Sequence, residues 1–107
     1  MLEIRCRYET TYTVLELEGE VCLLSVPVLR DCVDSLVDIG QVRLVIDLAE
    51  VTLLTAAAVN LFVSVAARLE ALGGSLLVRR ASGLPATVLE LTGLDPRSVV
   101  TSAPPPA

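Results

Sequence analysis

An α/β fold is predicted for this chain: an N-terminal β-hairpin followed by βαβ units, giving a mixed, mostly parallel sheet flanked by helices. Three observations lead there. Apolar residues alternate with charged ones at the start of the chain, two later stretches carry the helical period, and short aliphatic runs lie between them.

Leu2, Ile4, Cys6 and Tyr8 alternate with Glu3, Arg5 and Arg7, the period of a strand buried on one face. Thr10 and Thr11 turn the chain, and Tyr12 to Glu18 forms the second strand of an antiparallel hairpin, ended by Gly19. The period then changes. Leu29, Cys32, Val33 and Leu36 share one helical face, and Arg30, Asp31, Asp34 and Asp38 take the other. Ser25 is the expected N-cap, Pro27 fits the first turn where its missing N–H costs little, and Gly40 is the stop. Val42 to Leu48 is a nearly continuous aliphatic run, as expected of a central strand covered on both faces.

A second helix is predicted from Thr55 to Leu72, stopped by Gly73 and Gly74. At ~100° per residue, Val59, Phe62, Val65, Ala66 and Leu69 fall in one apolar arc, and Ala57, Asn60, Ser64 and Arg68 line the solvent side. Ser75 to Arg79 gives a strand, Leu84 to Leu91 a third helix, and Ser98 to Thr101 a last edge strand. Residues 1–102 form one domain in this reading, and 103–107 a disordered, Pro-rich tail.

Composition narrows the function. A chain of 107 residues suits a single core, and with 53% hydrophobic but only 3% aromatic residues that core is aliphatic. Mean hydropathy is high, at +0.70. Yet the longest uncharged stretch, Val51 to Ala67, contains Thr52, Thr55, Asn60 and Ser64 and is shorter than the ~20 apolar residues of a spanning helix. No membrane segment or leader is expected, and a cytoplasmic location follows. A net charge of −5 disfavours direct contact with nucleic acid. Three cysteines without CxxC spacing point to reduced thiols, with Cys6 and Cys32 read as small buried hydrophobes.

The chain has neither His nor Lys, which closes the routes to Ser-His-Asp and Cys-His nucleophiles, Lys Schiff bases, His-ligated metals and the P-loop. The acidic residues that remain read as solvated faces, Glu16, Glu18 and Glu20 on a strand and Asp31, Asp34 and Asp38 on a helix. A non-catalytic protein with no cofactor and no metal is expected.

Four blocks in order then resemble the STAS family, the anti-sigma-factor antagonists of bacteria. Gly19-Glu20-Val21-Cys22 is similar to its G-E-[LV]-D, and Leu44-Val45-Ile46-Asp47-Leu48-Ala49-Glu50-Val51-Thr52-Leu53-Leu54 to its central strand and loop. Ala71-Leu72-Gly73-Gly74 is similar to its G-G turn, and Val88-Leu89-Glu90-Leu91-Thr92-Gly93-Leu94-Asp95 to its L-x-L-T-G-L-D ending. The resemblance implies a transcription regulator that binds an anti-sigma factor of the kinase type, or a related STAS-binding protein. In the family the loop continues D-S-[ST]-G, and the second hydroxyl residue, at a helix N-terminus, is phosphorylated by that kinase to block binding. A helix N-terminus tolerates such a charge. Here the stretch reads Thr55-Ala56-Ala57-Ala58, so the acceptor position is Ala57, and the acidic positions that flank it are Cys22 and Thr55.

The phospho-switch is therefore expected to be lost while the fold remains. Thr55 has two readings, a displaced acceptor or an N-cap bonding a backbone N–H, and the cap is preferred. Cys22 is either a redox sensor on an exposed loop or an inert thiol, the latter preferred because no nearby Lys or His activates it. The partner-binding stripe is expected to be Ala57, Asn60, Ser64 and Arg68, small and polar without a large anchor. Two alternatives use the same fold: a scaffold subunit of a STAS-containing signalling assembly, or a module sensing a nucleotide or lipid near Cys22–Ser25 and Thr55.

Overall fold

The computed structural model describes residues 2–80. The chain runs β1 (Leu2–Tyr8), β2 (Thr13–Val21), α1 (Val26–Asp38), β3 (Arg43–Leu54), α2 (Ala56–Ala71) and β4 (Ser75–Arg79). The expected third helix, last edge strand and tail lie outside the described residues. The sheet order is β1-β2-β3-β4; β1 and β2 are antiparallel, and β2-β3 and β3-β4 are parallel.

Each parallel step moves one strand in the same direction, and right-handed crossovers then put α1 and α2 on one face of the sheet. A single cluster fills the space beneath them: Leu15 and Leu17 of β2, Leu44, Ile46 and Leu48 of β3, Leu76 and Val78 of β4, with Leu29, Val33 and Leu36 of α1 and Val59, Phe62, Val65 and Leu69 of α2. Phe62 is fully enclosed and is the chain's only phenylalanine. Arg68 of α2 bonds Asp34 of α1 and ties the two helices together.

Both helices stop as their glycines predict, and in the same way. Gly40, at φ 84, donates to the Val37 carbonyl while the Gln41 N–H reaches that of Leu36. Gly73, at φ 80, bonds Glu70 while Gly74 N–H bonds the Leu69 carbonyl at 2.7 Å. These paired bonds satisfy carbonyls that a helix end leaves open. Gly74 has a second duty, because a Cβ there would lie 1.9 Å from the Val42 carbonyl oxygen. That approach allows the Ser75 N–H to bond Val42 at 3.0 Å and start β4 in register beside β3.

Several expectations change in three dimensions. β2 continues past Gly19 to Val21, and β3 past Leu48 to Leu54, because the two strands keep pairing across irregularities at Glu16/Glu18 and Gly19/Glu20. Cys6 is exposed and Cys32 only half-buried, against the expectation that both are core hydrophobes. On β1 only Leu2 and Ile4 pack on the cluster; Cys6 and Tyr8 occupy the hairpin end of an outer strand, where the core no longer reaches.

The opposite sheet face holds a charge that the sequence does not disclose. Asp47, 2% exposed, receives Arg79 Nε at 3.2 Å, Arg80 Nε at 3.0 and 3.1 Å, and the Ala49 N–H at 3.0 Å. Arg80 adopts φ 59, a left-handed conformation costly for an L side chain, and the fork on Asp47 offsets that cost. Burial alone pushes the Asp47 carboxyl up, but the bonds from Arg80, the Ala49 N–H and Arg79 outweigh it and hold the group below its ordinary value. A carboxyl lowered on folding contributes stability that is complete above its unfolded value, ~3.9, and lost as pH falls through the lower folded value. Acid titration followed by circular dichroism should therefore show stability falling below about pH 4, with a shallower fall in Asp47→Asn than in the parent.

Candidate functional site

The positions singled out from sequence meet where β2 and β3 end. The Val21 carbonyl at the end of β2 accepts the Thr55 N–H at 3.0 Å, which sets the start of α2 beside the loop 22–25. In that loop the N–H groups of Ser25 and Val26 turn back onto the Cys22 carbonyl at 2.9 and 3.2 Å, so the chain bends directly into α1. Cys22, Thr55, Ala56, Ala57 and Ala58 are thus neighbours in space.

Their roles differ in part from those expected. Thr55 occupies the N-cap position of α2 with the extended backbone a cap needs, φ −98 and ψ 166, but its side chain caps nothing. Its hydroxyl turns toward the Val21 carbonyl, 3.5 Å away, at the limit of a hydrogen bond. Ser25 likewise precedes α1 without capping it; its hydroxyl donates to the Glu20 carbonyl at 2.9 Å. Both hydroxyls fasten strand ends that lie far away in sequence or behind the helix, where the local cap rule does not look.

Cys22 is half-buried, with Sγ 3.6 Å from Ser25 Oγ. Contact with the Ser25 hydroxyl, and with the N–H groups of Leu24 and Ser25, lowers the thiol below its ordinary value despite burial and the nearby Glu20. The Ser25 hydroxyl and the loop N–H groups stabilise negative charge on this sulfur.

On α2, Ala56 is exposed, Ala57 is half-buried and packs against the core cluster, and Ala58 is buried within it. Ala57 therefore does not head a fully solvent-facing stripe. Asn60, Ser64 and Arg68 are exposed, as the periodicity predicts, and descend the helix from Ala56 over about 18 Å. Arg68 is engaged by Asp34, so this flank of α2 faces α1.

Large apolar side chains, which the sequence reading leaves out of the site, crowd the same end of the sheet. Leu23 is 70% and Leu24 87% exposed in the loop, Val28 is exposed in the first turn of α1, and Leu53 stands at the end of β3 beside Glu20. Val63 adds an exposed apolar side chain on α2. The signal available in sequence was the pair Leu23-Leu24 between a strand end and an N-cap, a place where a loop gives little cover. A cavity of about 250 Å³ opens at the other end of the sheet, beside Tyr12, Arg43 and Ser75, away from Cys22–Ser25. Among the described residues no three His, Cys, Asp or Glu side chains converge as a metal site, and no helix is long and apolar enough to cross a membrane.

Among the described residues, a mixed four-stranded sheet with two helices on one face makes a small α/β domain, with an apolar loop beside a helix start at its strand ends. The family described as "Mlab, STAS domain" matches residues 6–101, and the chain belongs to the STAS domain family. Among solved structures it is similar to an anti-sigma factor antagonist from Mycobacterium paratuberculosis, with TM-score 0.80 and 19% identity over 97% of this chain and 87% of that one. A putative anti-sigma factor antagonist from Thermotoga maritima gives TM-score 0.84 and 18% identity over 94% and 86%. The Bacillus cell fate determinant SpoIIAA in its phosphorylated form gives 0.72 and 17% over 94% and 92%. At such identities the likeness is one of fold. No curated protein matches the chain.

Proposed function

We propose that this chain is a non-catalytic, cytoplasmic protein-binding regulator of the anti-sigma-factor-antagonist kind, and that phosphorylation at the family site does not control it. Its partner is an anti-sigma factor of the kinase type or a related STAS-binding protein, met by the loop 22–25 together with the exposed side of α2. One observation carries the reading: the acceptor position is a half-buried Ala57 lying on the core, beside a loop that presents Leu23 and Leu24 to solvent. The first removes the phosphate's attachment point, and the second supplies the anchors that a polar stripe alone lacks.

Thr55 is a poor substitute acceptor, since it is half-buried and its hydroxyl points back at the Val21 carbonyl. A cognate kinase given ATP should leave the protein's intact mass unchanged. A single added phosphate mapped to Thr55 contradicts the proposal.

A further inference from the structure

The outer edge of β1 is a row of backbone donors and acceptors that the sheet leaves open. Among the described residues β1 is the outermost strand on its side, and Glu3, Arg5, Cys6, Arg7 and Tyr8 are exposed. The Glu9 N–H bonds the Tyr12 carbonyl at 2.9 Å, which makes that pair of the hairpin a hydrogen-bonded one. In an antiparallel ladder such pairs alternate with non-bonded ones. Arg7 and Val14, Arg5 and Glu16, and Glu3 and Glu18 therefore exchange bonds, whereas Leu2, Ile4, Cys6 and Tyr8 turn their N–H and C=O groups away from β2.

Exposed edges are commonly guarded by Pro, by a bulge or by charges that repel a second strand. β1 contains no Pro, and it pairs with β2 in one unbroken register. Its charges attract instead: Glu3 and Arg5 flank Ile4 with opposite signs. From this pattern we infer that β1 is a self-association surface, and that its partner is β1 of a second copy, laid antiparallel about a two-fold axis through Ile4. In that register the outward groups of Ile4 bond those of the second Ile4, and Leu2 and Cys6 bond each other in both directions. Glu3 of each copy faces Arg5 of the other in the non-bonded pairs, where strands approach most closely, at about 4.5 Å between Cα atoms. The axis stands perpendicular to the sheet, so Leu2 and Ile4, which pack on the core cluster, meet their counterparts on the helix side, and the charges meet on the other. Neighbouring registers that also match the outward groups are worse. An axis through Glu3 sets Glu3 against Glu3, one through Arg5 sets Arg5 against Arg5, and one through Cys6 sets Arg5 against Arg7. Arg5 meets its own Glu18 at 3.4 Å with 72% of its side chain exposed, a loose pair that leaves the guanidinium able to reach a second carboxylate.

The test uses the full chain under reducing conditions, followed by sedimentation equilibrium over a range of concentrations. The parent's mass should rise from 11.3 kDa towards twice that value as concentration increases. Glu3→Arg and Arg5→Glu, each alone, set like charges opposite one another at two places and should raise the dissociation constant of the dimer about tenfold or more, with circular dichroism unchanged. Mixing the two singly reversed chains restores opposite charges in every pair, so the mixture should form a heterodimer, and the doubly reversed chain should dimerise as the parent does. Amide exchange at Ile4 and Cys6 should slow in the parent dimer, since their N–H groups are the ones it engages. A parent that stays monomeric throughout, a dimer that both single reversals leave intact, or reversed chains that remain monomers when mixed overturns the inference.

Discussion

Leu24→Asp, made together with Leu23→Asp, weakens capture of a kinase-type anti-sigma partner by about 100-fold or more, the scale of losing a buried apolar anchor and placing charge in its stead. The fold has little reason to respond. Leu24 is 87% exposed and neither leucine belongs to the core cluster, so circular dichroism and melting temperature of the double variant should match the parent's. Ser64→Arg, on the polar side of α2, should have a smaller effect in the same assay, since rim contacts contribute less than central ones. Equal binding by parent and double variant would remove the loop from the proposed interface.

Phe62→Ala should produce the largest loss of stability of any single change. Phe62 lies where α2 meets the sheet, has no exposed surface, and is the only ring in a core otherwise built from aliphatic side chains. Removing it leaves a cavity that branched neighbours fill poorly, at a cost of about 3–5 kcal/mol. A domain of this size has about 5–15 kcal/mol in all, so chemical denaturation should give a midpoint well below the parent's, with partly unfolded protein at physiological temperature. Phe62→Leu should recover most of the loss, which separates a packing effect from a need for the ring.

The parts of this architecture that sequence discloses are those set by local rules. Helical and strand periods place α1, α2, β1 and β4 within a few residues, and Gly40 and Gly73 mark the stops because a left-handed residue is needed there. What escapes is set by distant partners. Asp47 reads as one polar residue in an aliphatic strand until Arg79 and Arg80, more than thirty positions on, close around it. Ser25 and Thr55 stand where caps stand, but their hydroxyls find the Glu20 and Val21 carbonyls, which only the assembled sheet brings near. Alternation at Cys6 and Tyr8 predicts burial correctly only where a helix lies above the strand, and above that end of β1 the core stops. At the candidate site, the run of alanines from Ala56 to Ala58 is plain in sequence, whereas the exposure of Leu23 and Leu24 needs three dimensions.

Cys22, Thr55 and Ala57 gather at one end of the sheet, each only partly buried, and at Ala57, which packs against the core, Ser adds a single oxygen atom; Ala58 is buried, so Ala58→Gly would cost about 1 kcal/mol of helix stability. A rebuilt chain carrying Cys22→Asp, Thr55→Asp and Ala57→Ser therefore serves as the comparison. The decisive measurement is affinity for a kinase-type anti-sigma factor, with and without ATP, for the native and rebuilt chains. Affinity of the native chain should be the same in both conditions, and that of the rebuilt chain should fall when ATP is added, as a phosphate brings nearly two negative charges into the contact surface. Loss of native-chain binding on adding ATP, or a bound rebuilt chain that the kinase does not phosphorylate, would contradict a regulator freed from the family's switch.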